Sequence, residues 1–324
     1  MLYVQLLAGF VLLLGGGEAL VKGAVGVAGR LGVSPMLIGF LLVGFGTSTP
    51  ELVASLNAAL IGAPGIAIGN VVGSNIANIL LILGIAGIIL PMATNRDAFR
   101  RDGAMLVVAT VMMVAVALTG EFGRVAGVFF LVVLAAYSVY SFRADRKATD
   151  AAGALHAAEA EHLDDVPPAH PNLGLSLGLA VAGIAAVVYG ADLLVDGAIV
   201  LARAAGLSET LIGLTLVAVG TSLPELVTSV MAAIRKHSDV AFGNVVGSNV
   251  FNILGILGVT SLVQPIAVPP EVLRLDLWVM SGATVLLLVF AATGWRLARW
   301  EAGVFLALYA LYMAVLFTPG LLGA

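Results

Sequence analysis

GFGTSTPELVASLNAALIGAPGIAIGNVVGSNIANILLILG, residues 44–84, occurs twice in this chain. The second copy, residues 218–258, reads AVGTSLPELVTSVMAAIRKHSDVAFGNVVGSNVFNILGILG. The two align without a gap at an offset of 174 residues, which sets Glu51 on Glu225, Ser74 on Ser248 and Asn78 on Asn252. Each copy places one carboxylate, several hydroxyls and several amide side chains in strongly apolar surroundings. A buried carboxylate needs a compensating charge, so the duplicated set asks for a buried cation.

The surroundings are those of a membrane protein. Of 324 residues, 60% are hydrophobic and 10% charged, and the apolar runs repeatedly reach about 20 residues, the length that crosses a hydrocarbon core. The net charge of −4 comes without a basic run, so no nucleic-acid partner is expected. No cysteine is present, which excludes disulfides and thiolate metal sites. The first segment lacks the positive start and cleavage site of a signal peptide and reads as a membrane helix. No nucleotide motif appears, which argues against an ATP-driven pump, and nothing marks an enzyme.

Ten membrane spans are expected, at about 2–28, 34–60, 66–91, 102–119, 124–142, 173–205, 208–234, 239–264, 274–293 and 298–318. Residues 1–142 form one five-span repeat, 143–172 a polar linker and 173–324 a second repeat, within one integral membrane unit. The repeat reaches past the core motif, since Glu18 falls on Asp192, Lys22 on Asp196, Arg100 on Arg274 and Asp102 on Asp276. A shift of about two residues is expected before spans 5 and 10. Five spans cross an odd number of times, so the second repeat starts from the opposite side and the repeats are inverted. Such transporters bind at the midplane on broken helices. Arg30, Arg96, Arg100, Arg101, Arg143, Arg146, Lys147, Arg235, Lys236, Arg296 and Arg299 fall on one side, against Arg124, Arg203 and Arg274 on the other. The crowded side is expected to be cytoplasmic, with both termini outside.

Span 2 carries Gly44, Gly46 and Pro50 close together, and span 7 carries Gly220 and Pro224. Each proline removes a donor and disturbs the preceding turn. The carbonyls of Thr47 and Thr221 are expected to turn inward, beside the side chains of Ser48, Glu51, Ser222 and Glu225. Ser74 and Asn78, like Ser248 and Asn252, are four apart and share a helical face, which Asn70 and Asn244 extend. The donor set is all oxygen, with no His or Cys, and so fits a hard cation such as Ca²⁺. Two glutamates a few ångströms apart repel by several kcal/mol at an effective dielectric of about 20, so an emptied site must refill with Ca²⁺, Na⁺ or protons. A lone Ser or Asn in a membrane helix is as often an interhelical contact as a ligand. A glutamate there costs about 2.5–3.5 kcal/mol, and two in a repeated frame point to function.

GTSTPELVAS and GTSLPELVTS resemble the first half of the two α-repeats of the cation/Ca²⁺ exchanger superfamily, specifically its prokaryotic sodium/calcium exchangers. GNVVGSNIANIL and GNVVGSNVFNIL resemble the second half, and the likeness spans essentially the whole chain. It implies an all-α polytopic protein of ten helices in two inverted repeats, with spans 2, 3, 7 and 8 around the ions. It also implies a central Ca²⁺ site between Glu51 and Glu225. Flanking Na⁺ sites would use Thr47, Ser48, Ser74, Thr221, Ser222 and Ser248, while spans 1 and 6 slide across the rest. Asn at both 78 and 252 leaves two carboxylates at the centre and disfavours potassium coupling. No acidic residue follows the GN motif as in the proton/calcium branch, which favours sodium.

The resulting expectation is an antiporter in the plasma membrane that exchanges Ca²⁺ for Na⁺ by alternating access and exports Ca²⁺, without a prosthetic group. Proton-coupled Ca²⁺ exchange is the alternative. A passive channel and a non-transporting sensor fit the Gly/Pro breaks less well. Glu18 and Lys22 read as a neutralising i, i+4 pair, and Asp192 and Asp196 as an acidic helix end. His156, His162 and His170, among acidic residues of the linker, read as solvated. Tyr3, Trp278, Trp295 and Trp300 are expected at the membrane interfaces.

Overall fold

The computed structural model describes residues 2–93, 96–159, 172–204 and 218–316. Apolar stretches without internal polar breaks give long helices, because in lipid each backbone donor must be met within its own segment. They are α1 (Leu2–Leu31), α2 (Met36–Thr47), α3 (Thr49–Leu60), α4 (Pro64–Ile89), α5 (Arg96–Ala117) and α6 (Arg124–Glu159). The second half follows with α7 (Leu173–Ala204), α8 (Ala218–Thr221), α9 (Leu223–Ile234), α10 (Ser238–Val263), α11 (Val272–Ala292) and α12 (Arg299–Leu316). Span 2 corresponds to α2 with α3, and the described part of span 7 to α8 with α9. Among the described residues seven helices are long and apolar enough to cross a membrane, and the bent α2–α3 pair makes an eighth. The chain is an integral, multi-pass membrane protein. The first part of span 7, His162, His170 and the end of span 10 lie outside the described residues.

Two departures from expectation concern the ends of elements. Helix α6 runs on to Glu159, although 143–172 reads as a linker. Alanine, lysine, arginine and glutamate dominate 143–159, and no proline occurs before Pro167, so helix propensity carries the segment on. The shift between repeats is one residue rather than two. The offset is 174 for α3 and α9 and becomes 175 for the starts of α6 and α12.

Four two-residue strands fix the relation of the halves. β1 (Met92–Ala93) follows α4 and β3 (Ile266–Ala267) follows α10 at equivalent positions. β2 (Glu121–Phe122) follows α5 and β4 (Arg296–Leu297) follows α11. β1 pairs with β4 and β2 with β3, both antiparallel. The 22 residues of α5 hold β1 and β2 apart, by about 33 Å at 1.5 Å per residue. The equivalent strands β1 and β3 therefore stand at opposite ends of the bundle, the arrangement an inverted repeat requires. Trp295, beside β4, lies under Arg96 and Arg100 with guanidinium carbons 4.7 and 5.2 Å from the ring centre. Trp278, Trp300 and Tyr3 are exposed, as interfacial residues should be.

Close glycine contacts let the halves interpenetrate. A Cβ on Gly243 would meet Met36 O at 2.2 Å, and one on Gly247 would meet Phe40 O at 2.3 Å. Helix α10 thus crosses α2 backbone to backbone, which brings Ser248 to the break in span 2. Helices α1 and α7 pack just as closely, at Gly23 against Ala180 and Gly183 against Leu20.

Candidate cation site

The break in each half is a single serine. Ser48 has φ −81° and ψ 11°, and Ser222 has φ −92° and ψ 6°, both outside the helical well. At Ser48 the axis turns by 43°. Pro50 lacks the N–H that would bond Gly46 O, and Thr49 Oγ1 donates to that carbonyl instead, at 2.9 Å. The carbonyl that the proline releases is therefore that of Gly46, next to Thr47. Glu51 and Glu225 then fall in the first turns of α3 and α9. A helix N-terminus favours a carboxylate there.

Each break serine serves the glutamate of the other half. Ser48 Oγ donates to Glu225 Oε1 at 2.7 Å, and Ser222 Oγ stands 3.3 Å from Glu51 Oε1. Both glutamates are 1% exposed. Ser222 Oγ also lies 3.4 Å from Ser74 Oγ, which brings α4 to the same point. Ser248 Oγ donates to Gly44 O at 3.2 Å from α10. Thr47 Oγ1 lies 3.0 Å from Val43 O and 3.3 Å from Asn244 Oδ1. Thr221, half-buried, closes α8 just before the second break. Asn78 and Asn252 are buried within wide π-helical turns, Ala77–Ile82 and Phe251–Ile256, which commonly mark functional points in a helix.

What remains unpaired is mostly acceptor. Glu51 Oε2, Glu225 Oε2, Asn78 Oδ1 and both amide atoms of Asn252 are buried without a hydrogen-bond partner in the chain. Buried polar atoms are rarely left so. Four of these five atoms are oxygens, two of them carboxylate, the donor type that a hard cation takes. Among the described residues no three His, Asp or Glu side chains gather around a point. A divalent ion here would be held by two carboxylates and neutral oxygens.

Asn70 and Asn244 extend the polar stripe as the sequence indicates, but the partners they take escape a motif reading. Asn70 Nδ2 donates to Glu51 O at 3.0 Å and to Ser55 Oγ at 2.8 Å. Asn244 Nδ2 repeats this with Glu225 O at 3.3 Å and Ser229 Oγ at 2.8 Å. These asparagines tie α4 to α3 and α10 to α9 around the glutamate turns. Ser55 and Ser229, four residues after the glutamates on the same face, are the signal that would have shown it. Asn75 and Asn249 are also buried here, and Asn249 Oδ1 accepts from Asn78 Nδ2 at 3.0 Å.

The family described as "Sodium/calcium exchanger protein" matches residues 1–143 and 175–318. The sodium/calcium exchanger MaX1 of Methanosarcina acetivorans is 37% identical over 97% of this chain and 98% of its own. The inner membrane protein YrbG of Escherichia coli is 33% identical over 90% of this chain and 88% of its own. The solved structure of the sodium-calcium exchanger NCX_Mj, soaked with 2.5 mM Na⁺ and 0.1 mM Ca²⁺, is similar with a TM-score of 0.84 and 32% identity. That likeness covers 98% of this chain and 99% of that one.

Proposed function

The chain belongs to the sodium/calcium exchanger protein family, and on that premise we propose that it is a secondary active antiporter exchanging Ca²⁺ for Na⁺ by alternating access. Na⁺ entry drives Ca²⁺ out, and the Arg-rich end of the bundle faces the cytoplasm of a plasma membrane. The observation that carries this reading is the set of buried, unpartnered oxygens on Glu51, Glu225, Asn78 and Asn252. Ca²⁺ sits between the two carboxylates and takes the amide oxygens of Asn78 and Asn252. Na⁺ ions use oxygens of Thr47, Ser48, Ser74, Thr221, Ser222 and Ser248 together with the same carboxylates. Because the ligands are shared, one ion must leave before the other binds. Two bare carboxylates a few ångströms apart repel by several kcal/mol at an effective dielectric of about 20, which disfavours crossing empty and makes the cycle an exchange rather than a leak.

The test is ⁴⁵Ca²⁺ uptake into proteoliposomes loaded with Na⁺, with K⁺-loaded and pH-gradient vesicles beside them, for the wild type and Glu51→Gln. Uptake should require internal Na⁺ and vanish in the variant. Uptake that follows the pH gradient without Na⁺ would establish proton coupling instead. Flux indifferent to either counter-ion would rule out an antiporter.

A further inference from the structure

Asn78 and Asn249 meet across the two halves of the bundle, on α4 and α10, and both are buried. A side-chain amide carries an acceptor oxygen and an NH₂ donor on one carbon, and only the oxygen suits a cation. Which of the two faces an ion is decided by what holds the other. Here Asn249 Oδ1 accepts the Asn78 N–H at 3.0 Å. The Asn78 oxygen and the Asn249 Nδ2 are both left buried and unpartnered, so the two amides are oriented by this one bond and by the cation that the Asn78 oxygen meets. It lies one turn beyond Ser74, whose hydroxyl reaches Ser222 beside Glu51.

We propose that Asn249 is a positioning residue for transport: it fixes the amide of Asn78 so that oxygen rather than N–H is offered to the cation. This rests on the reading of Glu51, Glu225 and Asn78 as cation ligands. The reverse arrangement, with Asn249 donating to Asn78, would turn an N–H toward the ion and is disfavoured whenever the site is loaded. The device works in one half only. The equivalent atoms, Asn252 Nδ2 and Asn75 Oδ1, are both buried and unpartnered, while Asn75 Nδ2 donates to Val71 O at 2.7 Å on its own helix. Asn252 is thus left without the restraint that Asn78 has.

The experiment follows the Ca²⁺ dependence of Na⁺-driven uptake in proteoliposomes for Asn249→Ala, Asn249→Leu, Asn75→Ala, Asn78→Asp and the double variant Asn249→Ala with Asn78→Asp. Losing the orienting bond should raise the half-saturating Ca²⁺ concentration about tenfold in both Asn249 variants. Leucine matches asparagine roughly in size, so a role in packing alone would spare Asn249→Leu. Asn75→Ala should shift half-saturation by less than about threefold. An aspartate at 78 has no N–H to misdirect and offers oxygen whichever way it turns. The double variant should therefore stay within about twofold of Asn78→Asp alone. Unchanged half-saturation in the Asn249 variants, an equal shift in Asn75→Ala, or absence of rescue would each overturn the proposal. If Asn78→Asp leaves wild-type half-saturation unmoved, the ligand reading itself fails and the proposal falls with it.

Discussion

Asp102 and Asp276 occupy equivalent positions in the two halves, and each accepts a hydrogen bond from a tyrosine, Tyr137 at 2.5 Å and Tyr312 at 2.9 Å. There the likeness stops. Arg101 grips Asp102 with two nitrogens, at 2.7 and 3.2 Å, and reaches Asp145 at 3.3 Å. Asp145 in turn receives both N–H and hydroxyl of Ser34. The equivalent of Arg101 is Leu275. Around the two glutamates, by contrast, the halves repeat each other's contacts: Ser48 with Glu225 answers Ser222 with Glu51, and Asn70 with Ser55 answers Asn244 with Ser229. The comparison separates two demands. A site shared by both halves constrains the centre, whereas the ends must differ because only one side of a membrane prefers arginine.

Equivalence at the centre implies equal cost. Glu51→Gln and Glu225→Gln should each reduce Na⁺-driven ⁴⁵Ca²⁺ uptake by about 100-fold or more, the scale of removing one partner from a buried charge cluster. Unequal losses would break the comparison by showing that one carboxylate carries the ion. At the ends the effects should be unequal. Asp102→Ala takes the two-nitrogen partner from the Arg101 guanidinium, which is 12% exposed in its side chain and keeps only its longer contacts to Asp145 and Ser141 O, and should cost about 3 kcal/mol of stability. Asp276→Ala removes one tyrosine bond and should cost about 1 kcal/mol. Thermal unfolding of both variants in detergent measures the difference.

The centre was also what the sequence exposed. An aligned GTSxPE frame, a proline and a glutamate sufficed to place both breaks and both carboxylates, since few residues tolerate that setting. The inverted relation followed from counting spans, and the crossed pairing of β1 with β4 and β2 with β3 bears on it independently. Less legible were features whose cause is tertiary. The π-helical turns around Asn78 and Asn252 leave no mark in a 3.6-residue periodicity. Asn249 was visible as part of GSN, but only the crossing of α10 against α4 gives its oxygen a partner. Composition marked 143–159 as polar but not as helix, which the segment forms as a continuation of α6.

A smaller effect separates two faces of α1. On Gly23 a Cβ would stand 2.4 Å from Ala180 N and 2.7 Å from Ser176 O, both backbone atoms of α7. Gly15 has nothing within 4 Å of that position. Gly23→Ala should therefore lower stability by about 1–3 kcal/mol through overpacking. Gly15→Ala should be neutral or stabilise the helix by about 0.5–1 kcal/mol. Similar melting temperatures for the two variants would mean that α7 withdraws freely from α1.

The smallest expected effect tests whether the asymmetry of the ends reaches transport. Glu18 on α1 accepts from Lys22 Nζ at 2.8 Å and from Arg235, the residue that closes α9. The equivalents of these three are Asp192, Asp196 and Ile61, so the second half has no matching triad. Lys22 and Arg235 are 63% and 46% exposed in their side chains, and exposed pairs contribute only about 0.2–1 kcal/mol. Glu18→Gln should therefore alter the uptake rate by less than about fivefold at low ionic strength. Salt screens such charges over about 3 Å at 1 M, so the two rates should converge as choline chloride is raised. A ratio that ignores salt would assign Glu18 to packing between α1 and α9, and the charge asymmetry would then end at the membrane surface.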